Sequence, residues 1–400
     1  MTKLVSRLVA ASVLAIGVAS PAVAQRVATG TLDGHRWTAT NRIVGQTGTG
    51  TQAAVPPGNP IYNAQMPQRS GVAALIMDFG AGGSFICTGS LISPTRVLTA
   101  GHCVSGGSRF GGTSGLRSIT AHFYAGSNPG QPDNIYNPDV VVSAPNDPVF
   151  GSSATVSIRS NGVAVNAGYT GEVIDQNDIA VISLSQAAPE WARVYGIDFS
   201  DGLTGRDFTV AGYGRRSTVG GAIGANLGTG RLREGDNRMD FRLGDARFNG
   251  GWDAIVDNGA EFDFSYVSDF DNGLAANDTS CLTSQATNFG GGPGTAFCDL
   301  GRGAREVGVA GGDSGGPQFG ADGRLISVTS YGLTFGATFG DVDTRLNSSF
   351  GEFSGYVPLY IHEDFISGAI PEPQSWALMI LGFGLAGAGL RARARKVSFA

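Results

Sequence analysis

Three short strings in this chain carry the residue types of nucleophilic catalysis. His102 closes the run Leu98-Thr99-Ala100-Gly101-His102 and is followed at once by Cys103. An imidazole titrates near about pH 6.5, so it can take a proton from a hydroxyl and return it to a leaving group at working pH. Asp178 opens an apolar run, Ile179 to Leu184. A carboxylate at the start of such a strand can accept the second imidazole N–H, fix its tautomer and stabilise the imidazolium. The nearby Asp175 lacks the apolar run directly after it, so Asp178 is the preferred partner. The third string is Gly311-Gly312-Asp313-Ser314-Gly315-Gly316-Pro317. Glycines around a serine permit a tight turn and close approach of a substrate carbonyl, and the N–H groups of Gly312 and Ser314 can face a developing oxyanion. The remaining histidines are His35, His122 and His362.

These strings need rigid elements to bring them together, and the chain supplies short strands. Apolar runs broken by Gly and Pro occur at Val72–Met77, Phe85–Thr88, Ser90–Ile92, Val97–Leu98, Ala154–Ile158 and Ile179–Leu184. A second series follows, with Phe208–Val210, Phe262–Val267, Arg324–Ser330 and Tyr356–Tyr360. With 63 Gly and 17 Pro, 42% hydrophobic residues and 15% charged ones, the composition suits a globular, mainly β protein. Two sets of about six strands suggest two packed antiparallel β-barrels, at about 71–195 and 205–366, with a C-terminal helix near Tyr360–Ile366. Residues 25–70 lack periodicity and read as an exposed segment preceding the core. The net charge of −6, without a basic cluster in the body, argues against nucleic acid as a partner. No Cys/His set has zinc-finger spacing, and no metal or other cofactor is expected.

Both ends read as addresses. Lys3 and Arg7 precede an apolar stretch, and Ala22-Val23-Ala24 offers the small residues a signal peptidase requires, so residues 1–24 are expected to be a signal peptide. Cysteines 87, 103, 281 and 298 then suit an oxidising compartment. Of three connectivities, pairing of sequence neighbours is the simplest: Cys87 with Cys103 and Cys281 with Cys298, each worth about 3 kcal/mol in the chain-entropy picture. At the far end, Pro371-Glu372-Pro373 leads into an apolar stretch from Trp376 and then Arg391, Arg393, Arg395 and Lys396. Trp376–Leu390 would reach about 22 Å as a helix, short of a hydrocarbon core of about 30 Å. The segment 369–400 resembles the PEP-CTERM sorting signal of Gram-negative bacteria. That resemblance implies recognition and removal by an exosortase-type enzyme, a transient membrane association, and a final place in the periplasm, at the cell surface or in the extracellular matrix.

The order His, Asp, Ser and the strings around them resemble the trypsin/chymotrypsin family, intermittently over 71–366. Cys87-Thr88-Gly89-Ser90-Leu91-Ile92, Val210-Ala211-Gly212-Tyr213-Gly214 and Thr329-Ser330-Tyr331-Gly332 add to the likeness. It implies two barrels with the site in the cleft between them, a protease domain over 43–368, and a serine endopeptidase acting on proteins or peptides through an acyl-enzyme. His102, Asp178 and Ser314 would be base, orienting carboxylate and nucleophile. Gly308 would floor the specificity pocket, with Tyr331, Gly332 and Gly355 beside it, giving an open neutral pocket. A competing alignment brings Asp341 there instead. Arg42-Ile43-Val44-Gly45 resembles the activation site, with 25–42 as candidate propeptide and a freed Ile43 amine pairing with Asp313. The long spacings between the three strings imply surface insertions in both halves, and Ala310 stands where the family has a cysteine. The acidic group Asp263, Asp269, Asp271, Asn272 and Asp278 reads as a solvated insertion rather than a Ca²⁺ loop. Two alternatives differ in class. One is a surface binding module or adhesin on a protease scaffold. The other is a serine esterase, in which Gly312–Gly316 is an elbow followed by Asp343 and His362; that elbow requires a helix straight after the serine.

Overall fold

The computed structural model describes residues 27–40, 43–45, 60–125 and 155–370, apart from 218, 227 and 257. The expected signal peptide, the sorting tail from 371 on, and Arg42 lie outside them.

Six strands close a barrel: β4 (Val72–Asp78), β5 (Ser84–Ser93), β6 (Arg96–Thr99), β7 (Ser118–Tyr124), β8 (Thr155–Val165) and β9 (Ala180–Leu184). Its β4 is apolar from Val72 to Met77 because both of its faces are covered. Ala73, Leu75 and Met77 point into the barrel with Val97, Phe123, Ile158 and Ile182. Val72, Ala74 and Ile76 pack outward against Ala211, Phe319, Val328 and Val357 of the second half. Such alternation on a doubly buried strand erases the polar face that usually marks a β period.

The second half is a sheet of nine strands rather than a second closed barrel. Along it run β11 (Arg233–Arg238), β10 (Asp207–Gly212), β15 (Pro317–Phe319), β16 (Leu325–Thr334), β17 (Phe353–Pro358), β13 (Tyr266–Asp269) and β12 (Phe241–Arg242). A hairpin of β1 (Ala28–Leu32) and β2 (His35–Thr40) joins it through β16. A separate pair is formed by β3 (Ile43–Gly45) and β14 (Val307–Val309). The chain thus combines one closed barrel with a curled sheet, and is mainly β as expected. The terminal helix is also present: a single 3-10 turn, Tyr360–His362, runs into an α-helix at Glu363–Ala369.

Three expectations need correction. Residues 28–39 are not an exposed segment: Leu32, Trp37 and Ala39 are buried with Phe335 and Trp252. The second-half insertion is not merely a surface excursion, because Phe248, Trp252, Phe289 and Phe297 join an aromatic core shared with the sheet through Phe241 and Phe335. Within it, Asp263 is exposed, but Asp269, Asp271, Asn272 and Asp278 are buried, so the acidic group is not solvated. Both disulfides join the neighbours expected from sequence, Cys87–Cys103 and Cys281–Cys298.

Candidate active site

His102 lies in a short helix, α1 (Gly101–Ser105), that starts as soon as β6 ends. Gly101 lets the helix approach Asp178 closely, since a Cβ there would sit 3.2 Å from Asp178 Oδ1. Asp178 precedes β9, the neighbour of β6 in the barrel, so the sheet itself sets the two residues side by side. Asp178 Oδ1 accepts the His102 backbone N–H at 2.7 Å, and Oδ2 lies 2.7 Å from His102 Nδ1. Asp178 is 1% exposed, which strengthens both contacts by removing water. A third donor, the Ser330 hydroxyl, reaches Oδ2 at 2.6 Å from the second half of the molecule. Asp175 serves its own loop, accepting from Thr170 N–H, Thr170 Oγ1 and Asn177 N–H. Burial pushes its carboxyl up to about 6.

The Ser314 loop is laid against the first barrel. Thr88 N–H donates to Ser314 O at 2.9 Å, and Thr88 Oγ1 donates to Gly312 O at 2.9 Å. Gly315 adopts φ +77°, and a Cβ there would strike Thr99 Oγ1 and the Ala100 backbone, three and two residues from His102. This close approach ties the serine loop to the histidine helix, and the Cys87–Cys103 disulfide braces the same corner. Gly312 has φ +109°. Among the described residues, the N–H groups of Gly312 and Ser314 have no backbone acceptor. Both can therefore donate to a substrate oxygen that enters the loop. Immediately after Gly316 the chain enters β15, a strand; the helix that an esterase elbow demands is absent. The other esterase candidates are engaged elsewhere, His362 with Asn166 and the Gln176 carbonyl, and Asp343 with Arg345 N–H and Asn347.

Residues 62–239 match the Trypsin family model. The chain carries a trypsin domain. This domain match covers the whole described barrel, His102 and Asp178, and ends one residue after β11; Ser314 lies beyond it. Residues 369–396 match the PEP-CTERM protein-sorting motif, which marks export and sorting in Gram-negative bacteria. No curated protein matches the chain. The trypsin domain makes a trypsin-like serine protease the function class, with proteins as the substrate class.

Behind the serine loop, Asp313 is 1% exposed. Its Oδ1 accepts the Gly214 N–H at 2.8 Å, while Oδ2 has no hydrogen-bond partner among the described residues. Burial drives the carboxyl well above the usual range, against the opposing pull of Gly214 N–H and Arg233. Gly212 and Gly214 explain their own identity, since a Cβ on either would fall within 2.0 Å of an Asp313 carboxylate oxygen. A pocket lined by Gly212, Gly214, Arg231, Arg233 and Val307 opens onto this carboxylate. Ile43 pairs with Val309, on the strand that gives Val307 to that pocket.

Gly308, Gly332 and Gly355 lie on strands that converge: Val309 N–H donates to Ser354 Oγ, and Ser354 is opposite Gly332. Phe270 packs on Gly308 and is itself fully buried beside Phe350, with ring centroids 4.8 Å apart. Tyr331 is also fully buried, its ring over Gly355 and its hydroxyl 2.8 Å from Ser265 Oγ. Asp341 is held by its own loop, its oxygens accepting from Thr334 Oγ1 and from the N–H groups of Asp343 and Thr344. Among the described residues, two carboxylate groups are compact enough for a metal ion, Asp269 with Asp271 and Asp278, and Asp341 with Asp343 and Glu352. Hydrogen bonds from Cys281 N–H and Asp299 N–H already engage Asp278, and burial raises its pKa to about 6.

Sequence reasoning passes over Ser330 and Thr88 as working residues. Both sit inside strings that resemble the family, yet a hydroxyl that bonds across two halves of a fold leaves no local signature.

Proposed function

We propose that the chain is an exported serine endopeptidase that hydrolyses peptide bonds through an acyl-enzyme. The observation that carries this reading is the His102–Asp178 pair, buried and doubly hydrogen-bonded, under a serine loop pinned to the same corner by Thr88 and Gly315. Asp178 holds His102 Nδ1 protonated, leaving Nε2 to take the Ser314 hydroxyl proton as Oγ attacks the scissile carbonyl. The C–O bond forms as the carbonyl π pair moves to oxygen, where the N–H groups of Gly312 and Ser314 receive the charge. His102 then gives its proton to the amine nitrogen as the C–N bond breaks, and water repeats the sequence to release the acid.

Activation by cleavage at Arg42–Ile43 is part of the proposal. A free Ile43 ammonium would meet the one buried carboxylate oxygen of the loop that lacks a donor, Asp313 Oδ2. The primary pocket is assigned to Gly308, Tyr331, Gly332 and Gly355 and is neutral, since the competing Asp341 is consumed by its own loop. The domain proposed for this activity runs from 43 to 368, between a signal peptide removed by signal peptidase and a tail removed by an exosortase-type enzyme.

Labelling purified protein with a fluorophosphonate and mapping the adduct tests the reading. Modification of Ser314 that disappears in His102→Ala supports it; an unlabelled serine in folded, cleaved protein contradicts it.

A further inference from the structure

The edge of β16 beside the serine loop is taken at both ends. At Thr329 its N–H donates to Gly316 O and its carbonyl accepts from Gly315 N–H, so the loop that carries Ser314 occupies one end. From Gly332 onward the same edge is occupied by β2, with Gly332 opposite Thr40, Leu333 opposite Ala39 and Thr334 opposite Thr38. The other edge of β16 belongs to β17. Between the two occupants only Ser330 and Tyr331 remain, room for two residues of an added strand at about 3.4 Å each. Extended peptides bind sheet edges through such rows of main-chain groups. A substrate strand lying along β16 with its scissile bond at Ser314 would therefore run into Thr40 at its third residue.

The hairpin is not a loosely draped segment. Leu32, Trp37 and Ala39 are fully or almost fully buried, and the Trp37 ring lies 6.3 Å from that of Phe335. At its tip, Asp33 accepts from Thr287 N–H, Thr287 Oγ1 and Asn288 N–H, and its own N–H donates to Asn288 Oδ1. These anchors are to the insertion and to β16, and none of them depends on the chain being continuous at residue 42.

We propose that the β1–β2 hairpin is a permanent end wall of the peptide row on β16. Main-chain pairing then extends to only two residues on the amino side of the scissile bond. The inference rests on Ser314 being the nucleophile. It identifies the favoured substrates as peptides with two residues before the cleaved bond; longer chains must turn away after the second and gain nothing from the rest.

The test is a peptide series with one fixed carboxyl-side sequence and one, two, three or four residues before the scissile bond, measured on the full exported chain. The expected kcat/KM rises from one to two and then changes by less than about twofold, or falls. A rise of tenfold or more from two to three residues overturns the proposal. Thr40→Pro, which removes a main-chain donor at the end of β2 without touching Trp37 or Leu32, should restore a gain at the third residue. Native mass spectrometry of protein cut after Arg42 gives a second readout: the amino-terminal fragment should stay bound, and its loss from active enzyme also overturns the proposal. If no peptide is cleaved and Ser314 takes no fluorophosphonate, the serine-peptidase reading fails, and fragment retention alone then decides the hairpin's place.

Discussion

The two halves of the molecule solve the same problem with different materials. The core of the first barrel is built almost wholly from apolar residues, and among the described residues its buried acidic and histidine groups are few: His122, Asp175 and Asp178. The second half packs an aromatic insertion and a set of buried carboxylates, Asp240, Asp269, Asp271, Asp278 and Glu306, around a sheet that the described pairs do not close. Rigid positioning of His102 and Asp178 comes from the first half. The serine loop, the third donor to Asp178 and the blocked peptide row come from the second. The half whose barrel the Trypsin model matches throughout holds His102 and Asp178, and the other half carries the loop and the strands that face them.

Exchanging carboxylates in the first half should expose that division most strongly. Asp178→Asn is expected to lower kcat by about 10⁴, the size of effect seen when the orienting carboxylate of a serine triad is made neutral. Asp175→Asn, whose side chain accepts only from Thr170 and Asn177 of its own loop, should leave kcat within about threefold while lowering the unfolding midpoint. Steady-state hydrolysis and urea titration of both variants check the pair, and equal losses of activity would erase the distinction between them.

The disulfides offer a smaller contrast. Serine at both Cys87 and Cys103 should cost about 3 kcal/mol of stability and reduce activity at least tenfold, because Cys103 is the residue after His102 and shares its helix. Serine at both Cys281 and Cys298 should cost about as much stability but leave activity within about twofold. If the second pair proves as important to turnover as the first, the insertion acts on the site in a way the contacts do not explain.

Stability against pH should separate the halves more gently. Burial lowers His122 to about 4, so the unfolded chain takes up a proton first as pH falls, and the first barrel loses stability between about pH 6.5 and 4. Burial raises Asp240 to about 7 and Glu306 to about 8, so these groups hold protons when folded. Their contribution is present below about pH 4 and is lost as pH rises towards 8. His122→Gln should flatten the acid limb of the urea midpoint and Asp240→Asn the alkaline limb; the reverse assignment would contradict the packing described.

Much of the first barrel is legible in the sequence because its strands carry long apolar runs, and Gly89 interrupts β5 only on paper. There a Cβ would sit 2.6 Å from Val97, so glycine marks close packing rather than a turn. β11 is not legible: its residues are Arg, Glu, Gly, Asp, Asn and Arg, and it persists through paired charges, with Glu234 on Arg69 and Arg305 and Asp236 on Arg305. The hairpin at 28–40 is hidden for a related reason, since its only bulky apolar residues are Leu32 and Trp37 and its partner strand lies some 290 positions further along the chain. The three strings around His102, Asp178 and Ser314 are legible because each binds its neighbours through backbone geometry that local sequence encodes. Ser330 on Asp178 and Thr88 on Gly312 are not, because they act across the interface between halves.

The most direct test of the account is hydrolysis of casein or a peptide library by residues 25–368, cut after Arg42, compared with the same preparation of Ser314→Ala. The account predicts a loss of about 10⁶, some 8 kcal/mol of transition-state stabilisation, with an unchanged unfolding midpoint. A folded, cut wild type that turns over nothing, or a Ser314→Ala variant that keeps its activity, would contradict it.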